Sequence, residues 1–208
     1  MNDMEPCGLL VATRNAAKMQ ELMALLGDTR YNLLSLNEMS IDPGYEVEET
    51  GSTFEENAIL KAEGYGAISG MMTLADDSGL EVDALGGAPG VLSARYGDET
   101  LDDLGRNELL LKNVYGLPEE ELTARFRCVV AIYTPGDGTV TFDGKIEGNI
   151  THNPRGGNGF GYDPLFFFPP KAKTLAEIPS REKHEVSHRG TAVRQAASYL
   201  RERGESGC

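Results

Sequence analysis

Short apolar runs alternate along this chain with helical stripes, and that alternation leaves few folds open. Gly8-Leu-Leu-Val-Ala-Thr13 reads as a buried strand. Asn15 follows as a helix N-cap, and Met19, Leu22, Met23 and Leu26 recur at i, i+3, i+4 and i+7 before Gly27 stops the helix. A second helix begins after Ser52-Thr53, where either Ser52 with Glu55 or Thr53 with Glu56 forms a capping box. Phe54, Ala58, Ala62 and Tyr65 share its face. Thr73-Leu-Ala75 reads as the next strand, and Leu104, Leu111 and Val114 mark a helix near 100–115. Residues 124–134 alternate, with Phe126, Cys128, Val130 and Ile132 on one side. The Pro135-Gly-Asp-Gly138 turn then leads into Val140-Thr-Phe142, which predicts a hairpin. A last helix is expected over about 187–203, striped by Val193, Ala196, Ala197 and Leu200. Helices interleaved with strands, plus one hairpin, predict an α/β fold with a mixed sheet.

A length of 208 residues suits one large domain or two closely packed lobes, spanning 1–208 with a frayed tail over 204–208. Hydrophobic residues at 40% and charged residues at 25% fit a globular chain with a substantial core. No apolar run approaches the roughly 20 residues that cross a bilayer. The acidic start, Met-Asn-Asp-Met-Glu-Pro, lacks the features of a signal peptide. Cys7, Cys128 and Cys208 are odd in number and widely spaced, which disfavours a disulfide framework or a zinc site and favours the cytoplasm. A formal net charge of −14 opposes binding to nucleic acid or to an anionic membrane. It leaves room for a phosphorylated small molecule held by local cations, because salt screens fields beyond roughly 8 Å.

The strongest chemical signal is the pair Asp76-Asp77, placed just past the Thr73-Leu-Ala75 run and followed by Ser78-Gly79. Adjacent carboxylates on stiff backbone repel unless a cation or proton intervenes. Oxygen ligands of this kind suit Mg²⁺; the alternative is a solvated Asx turn. Candidate anion-binding segments lie elsewhere. Thr13-Arg14-Asn15-Ala16-Ala17-Lys18 joins a strand to a helix, and a lysine in a first helical turn makes sense opposite a bound anion. Lys61 shares the buried face of its helix with Phe54, Ala58 and Tyr65, with Asn57 one turn earlier. It reads either as a snorkelling lysine or as a cation in a cleft. His188 and Arg189 follow Ser187 at the start of the last helix, with Lys183 upstream. Asn158-Gly-Phe-Gly-Tyr-Asp-Pro164 offers Phe160 and Tyr162 for stacking on a flat ring, and Asp163 as an acceptor for a ring N–H.

Taken in order, these segments resemble the inosine triphosphate pyrophosphatase family, which hydrolyses non-standard purine nucleoside triphosphates such as XTP, ITP and dITP. The resemblance runs from Thr13 to Arg189. It rests on Thr-x-Asn-x-x-Lys (13–18), Glu-Glu-Thr-Gly-x-Thr-Phe-x-Glu-Asn-Ala (48–58), Leu-Lys-Ala (60–62) and Ala-Asp-Asp-Ser-Gly-Leu (75–80). Leu-Gly-Gly-Ala-Pro-Gly (85–90), Ser-Ala-Arg-Tyr (93–96), Gly-Phe-Gly-Tyr-Asp-Pro (159–164) and Ser-His-Arg-Gly (187–190) complete it. It implies a two-lobed α/β fold with an elongated mixed β-sheet flanked by helices, an active cleft between lobes, Mg²⁺ dependence and a homodimer. Glu49 and Asp77 would hold the metal, with Asp77 also taking the proton. Residues 13–18 (Thr13, Arg14, Asn15, Ala16, Ala17, Lys18) and Lys61 would hold the triphosphate, and Ser78 would touch the substrate. Phe160, Gly161, Tyr162 and Asp163, with Lys183, His188 and Arg189, would surround the base and nearby phosphate.

The implied reaction is hydrolysis of the triphosphate to a monophosphate and pyrophosphate, which would cleanse the nucleotide pool. Pyrimidine or methylated nucleotides are the rival substrates, and a non-catalytic nucleotide sensor is the rival role. In the first loop the family commonly has Gly after the threonine and often before the lysine, whereas this chain has Arg14 and Ala17. If that backbone needs positive φ, Arg14 is strained; otherwise it is free to add a phosphate contact.

Overall fold

A computed structural model describes residues 7–39, 41–98 and 100–205. The chain forms a seven-stranded sheet in the order β2-β1-β3-β4-β5-β6-β7. These strands are β1 (Gly8–Val11), β2 (Asn32–Ser35), β3 (Thr73–Val82), β4 (Thr123–Thr134), β5 (Gly138–Ile150), β6 (Phe166–Phe168) and β7 (Lys173–Thr174). The helices are α1 (Ala16–Leu26), α2 (Phe54–Ser69), α3 (Asp103–Asn113), α4 (Ser180–Val186) and α5 (His188–Glu205). β1 runs parallel to β2 and β3, whereas β6 is antiparallel to β5 and β7. The sheet is therefore mixed and the fold α/β, as the alternation of periods predicts.

Contacts divide the chain into two compact units. The first comprises 1–77, 129–143 and 192–208; the second comprises 78–128 and 144–191. The chain passes from the first to the second between Asp77 and Ser78 and again within β5, and returns to the first within β4 and within α5.

In the first unit, β1 is sealed by Leu9, Leu10 and Val11, which are fully buried. Asn15 caps α1 by accepting from the Ala17 and Lys18 amides at 3.0 Å each, which offsets orphan donors of the first turn. Leu22 and Leu26 are buried, but Met23 is 43% exposed, so the buried stripe is narrower than the periodicity suggests. Of the two possible capping boxes on α2, Thr53 with Glu56 forms. The buried face of α2 carries Phe54, Asn57, Ala58, Lys61, Ala62 and Tyr65, an apolar stripe interrupted by two polar side chains.

In the second unit, Leu80, Val82, Leu110, Leu122, Phe126, Ile146, Tyr162, Leu165, Phe166 and Leu175 share one core. Each such Leu or Phe contributes about 1.5–3 kcal/mol on burial.

Three expectations are corrected. β3 continues to Val82, so Asp76 and Asp77 lie within a strand flanked by β1 and β4 rather than past its end in a turn. Helical structure covers 204 and 205, where a frayed tail was expected; residues 206–208, with Cys208, lie outside the described residues. Cys7 is disulfide-bonded, against the expectation from cysteine spacing, while Cys128 is buried and outside any disulfide. Among the described residues no helix is long and apolar enough to cross a membrane.

Candidate active site

The register of β1 against β3 builds the first cluster. Val11, the last residue of β1, pairs with Leu74. Asp76 and Asp77 therefore extend beyond the C-terminal end of β1, where the chain turns into α1. In parallel sheets that end is where ligands gather. Asp76 is buried, and its carboxylate pairs with Lys18 Nζ of α1 at 3.2 Å. Lys61 Nζ, from α2, lies 3.1 Å from Asp77 Oδ1 and 2.7 Å from Glu49 Oε1. Asn57 completes the group: its amide nitrogen reaches Asp77 Oδ2 at 3.4 Å, and its oxygen accepts from the Gly51 amide at 2.8 Å. The two polar interruptions in the α2 stripe thus both serve Asp77, and Lys61 does not snorkel.

Burial pushes the Asp77 carboxyl up, more strongly than Lys61 and Lys18 pull it down, and Glu49 adds to the rise. Burial also pulls Lys61 down, but Asp77, Asp76 and Glu49 together outweigh it and keep the ammonium above its ordinary value. Lys61 is a permanent cation here. Glu49, Asp76 and Asp77 face two ammonium groups, Lys18 and Lys61, so the cluster keeps one negative charge in excess.

That excess, and a donor set made only of hard oxygens, fits Mg²⁺. Among the described residues no group of three or more His, Cys, Asp or Glu side chains forms a complete metal cage. Mg²⁺ is usually content with one or two carboxylates, supplemented by substrate phosphates and water.

Arg14 settles the question raised by its replacement of glycine. Among the described residues only Ala172 has positive φ without being glycine, so Arg14 is unstrained. Its guanidinium donates to the Asp42 and Tyr45 carbonyls at 2.7 and 3.1 Å. Tyr45 in turn packs edge-on against Tyr65, whose hydroxyl donates to the Tyr45 carbonyl at 3.4 Å. Arg14 is a clasp on the segment leading to Glu49. Thr13 accepts from the Asn15 amide at 3.2 Å, which shapes the same loop around Ala16 and Ala17.

The second unit holds the other predicted residues. Arg189 donates to Ser78 Oγ at 2.7 Å. Lys183 Nζ lies 2.6 Å from Asp163 Oδ2, with both side chains buried, and the Phe160 amide donates to the same oxygen at 3.0 Å. The Phe160 ring has the Lys183 ammonium at 5.2 Å and the Arg189 guanidinium at 5.5 Å from its centroid, within cation–π range. Phe160 is partly exposed, so a planar group has a ring to rest on.

Two predicted site residues take other places. Tyr162 is buried in the core of its unit, and its hydroxyl donates to the Ser93 carbonyl at 2.9 Å, so it is not available for stacking. A Tyr ring gains more in a core that satisfies its hydroxyl than on a wet loop. His188 is buried and stacks on Phe126, with centroids 4.7 Å apart and planes within 10°; it is not an exposed cation at a helix start. Ser187 caps α5 by accepting from the Gly190 amide at 3.0 Å.

Sequence reasoning offered Asp76 only as half of a carboxylate pair suited to Mg²⁺, and gave Asn57 no role of its own. Their signal was present: a buried carboxylate beside Asp77, and an amide one turn before Lys61.

The chain is similar to known proteins over most of its length. A model of the Ham1 family matches residues 9–199. A dITP/XTP pyrophosphatase of Geobacter sulfurreducens is 50% identical over 192 residues, 92% of this chain and 96% of that protein. One from Bacillus licheniformis is 47% identical over 192 residues, covering 92% of this chain and 97% of its own. Among solved structures, a HAM1 protein from Coxiella burnetii superposes with a TM-score of 0.86 at 38% identity, covering 94% of this chain and 99% of that one. Matched by a family model over almost its whole length and by relatives near half identity, the chain belongs to the Ham1 family.

Proposed function

We propose that this Ham1-family enzyme hydrolyses non-standard purine nucleoside triphosphates (XTP, ITP and dITP) to the monophosphate and pyrophosphate in a Mg²⁺-dependent reaction. One observation carries the reading: Lys61 joins Glu49 and Asp77 while Lys18 holds Asp76, all at the C-terminal end of β1. Names of the relatives support the substrate class.

Water attacks the α-phosphorus, the bond to the bridging oxygen breaks, and pyrophosphate leaves with the electron pair. Asp77 accepts the proton from the attacking water, a role suited to a carboxylate whose proton affinity is raised. Lys18 and Lys61, with the amides of 13–18, hold the triphosphate and stabilise charge developing on pyrophosphate. Glu49 and Asp77 would hold Mg²⁺, which would supply Lewis-acid stabilisation of phosphate oxygens when bound. In the second unit, Phe160 supports the base. Lys183 or Arg189 donates to the C6 carbonyl of hypoxanthine or xanthine, and Asp163 accepts from N1–H. Adenine presents the reverse pattern and leaves buried groups unmatched, a penalty that reaches ~10⁴-fold in sites of this type. Removing such nucleotides cleanses the pool. Cytoplasmic residence and a homodimer belong to the same reading.

The test is product analysis with dITP, XTP, dATP and a pyrimidine triphosphate, with and without Mg²⁺. One pyrophosphate per monophosphate, from the keto-purines and only with Mg²⁺, is expected. Orthophosphate with a diphosphate would overturn attack at the α-phosphorus, and equal kcat/KM for dITP and dATP would overturn the base assignment.

A further inference from the structure

Helix α3 contains no residue of the site described above, yet it grips the loop that carries Phe160 and Asp163. The Gly161 amide donates to Asp103 Oδ2 at 2.7 Å, and the Gly161 carbonyl accepts from Asn107 Nδ2 at 3.0 Å. Asp103 and Asn107 are one helical turn apart, so a single face of α3 holds both backbone groups of one residue. A carbonyl can only accept, which fixes the orientation of the Asn107 amide. Asn107 is buried, and among the described residues its oxygen has no hydrogen-bond partner, so of these Gly161 is what orients its amide. Asp103 is itself held by Arg106 at 3.1 Å.

Gly161 has a φ of +60°, a conformation that glycine adopts without steric help but also leaves readily. No heavy atom lies within 4 Å of where its Cβ would sit, so packing does not hold it. The neighbouring anchors are different in kind: Tyr162 is fixed by the core and Ser93, and Asp163 by Lys183 and the Phe160 amide. At Gly161, the α3 clamp sets the backbone that joins Phe160 to Asp163.

We infer that Asp103 and Asn107 are positioning residues for base selection, acting through both backbone groups of Gly161. The inference rests on the assignment of Phe160, Asp163 and Lys183 to the base. A loop free to move lets its donors and acceptors readjust to the wrong base, so discrimination suffers before chemistry does.

The experiment compares Asp103→Ala, Asp103→Asn, Asn107→Ala and Asn107→Asp with the wild type, using dITP and dATP in Mg²⁺. Asp103→Asn keeps an acceptor for the Gly161 amide; Asn107→Asp keeps the shape but loses the donor, so it reports even if Asn107→Ala fails to fold. Asp103→Ala and Asn107→Asp are expected to raise KM for dITP about tenfold, the scale of one lost hydrogen bond, with kcat within about twofold. The dITP-to-dATP preference falls by a similar factor, and Asp103→Asn restores it. Lys183→Met is measured alongside. If it destroys the preference while the α3 variants keep wild-type KM and preference, the clamp is overturned and the base assignment stands. If Lys183→Met also leaves the preference intact, the base assignment fails and the clamp's role fails with it.

Discussion

Lys61 Nζ lies 3.1 Å from Asp77 Oδ1, and the same ammonium lies 2.7 Å from Glu49. One buried cation therefore sets the spacing of the two carboxylates assigned to metal and proton transfer. Asp77→Asn keeps the shape and an oxygen but removes the base. Its turnover should fall at least ~10²-fold, the low end of a general-base contribution, while nucleotide still binds. Lys61→Met should lose a comparable factor, because the triphosphate loses a cation assigned to hold it. Near-normal turnover in Asp77→Asn would remove it from the mechanism.

Arg14 bonds two carbonyls of the segment that leads to Glu49. Arg14→Gly should release that segment. Amide exchange over 41–50 should speed up, and stability should fall by about 1 kcal/mol, the net worth of an exposed hydrogen bond or two. Unchanged exchange would show that the clasp has no hold on the segment.

Two glycines of one loop should respond differently to alanine. Gly159 has a φ of +76°, and a Cβ there would run into the Asp163 carboxylate close to the Lys183 ammonium. Gly161 has a φ of +60° but open space around it. Gly161→Ala should cost about 1–2 kcal/mol from backbone conformation alone. Gly159→Ala should cost more and should also raise KM for dITP by disturbing the Asp163–Lys183 pair. Melting temperatures and KM measured on both variants check the ordering.

Asp83 gives a pH test away from the site. Hydrogen bonds from Thr123 and from Arg125 hold its carboxyl below the usual range. A lowered folded value means that the contribution is complete above the unfolded value of ~3.9 and is lost as pH falls through the folded one. The denaturant midpoint of Asp83→Asn should therefore lie below that of the wild type at neutral pH. The gap should narrow only once pH falls below about 4. A gap that stays constant into acid would show that the ionised carboxylate is not what Thr123 and Arg125 stabilise.

The helices and the candidate site differ in how far they could be read from residues. Asn15 capping α1, the Thr53–Glu56 box on α2 and the stripe of Val193, Ala196, Ala197 and Leu200 on α5 all rest on groups a few positions apart. Such signals are local, and they are legible. Strands β2, β6 and β7 are too short to show a period, and their pairing depends on neighbours distant in sequence. Asp76 and Asp77 looked like the end of a strand because two carboxylates are poor strand formers; Lys18, Lys61 and Asn57, supplied by α1 and α2, make their burial affordable.

By itself the amino-acid order determined the α/β class and the main helices and brought the candidate site residues forward, since capping, periodicity and motif spacing act over a few residues. Only the tertiary structure decided that Lys61 bridges Glu49 and Asp77, that Tyr162 turns inward while Phe160 stays at the surface, and that α3 holds Gly161. Each of those choices depends on which desolvated group finds a partner from a remote segment, and that balance of burial against pairing exists only once the chain has packed.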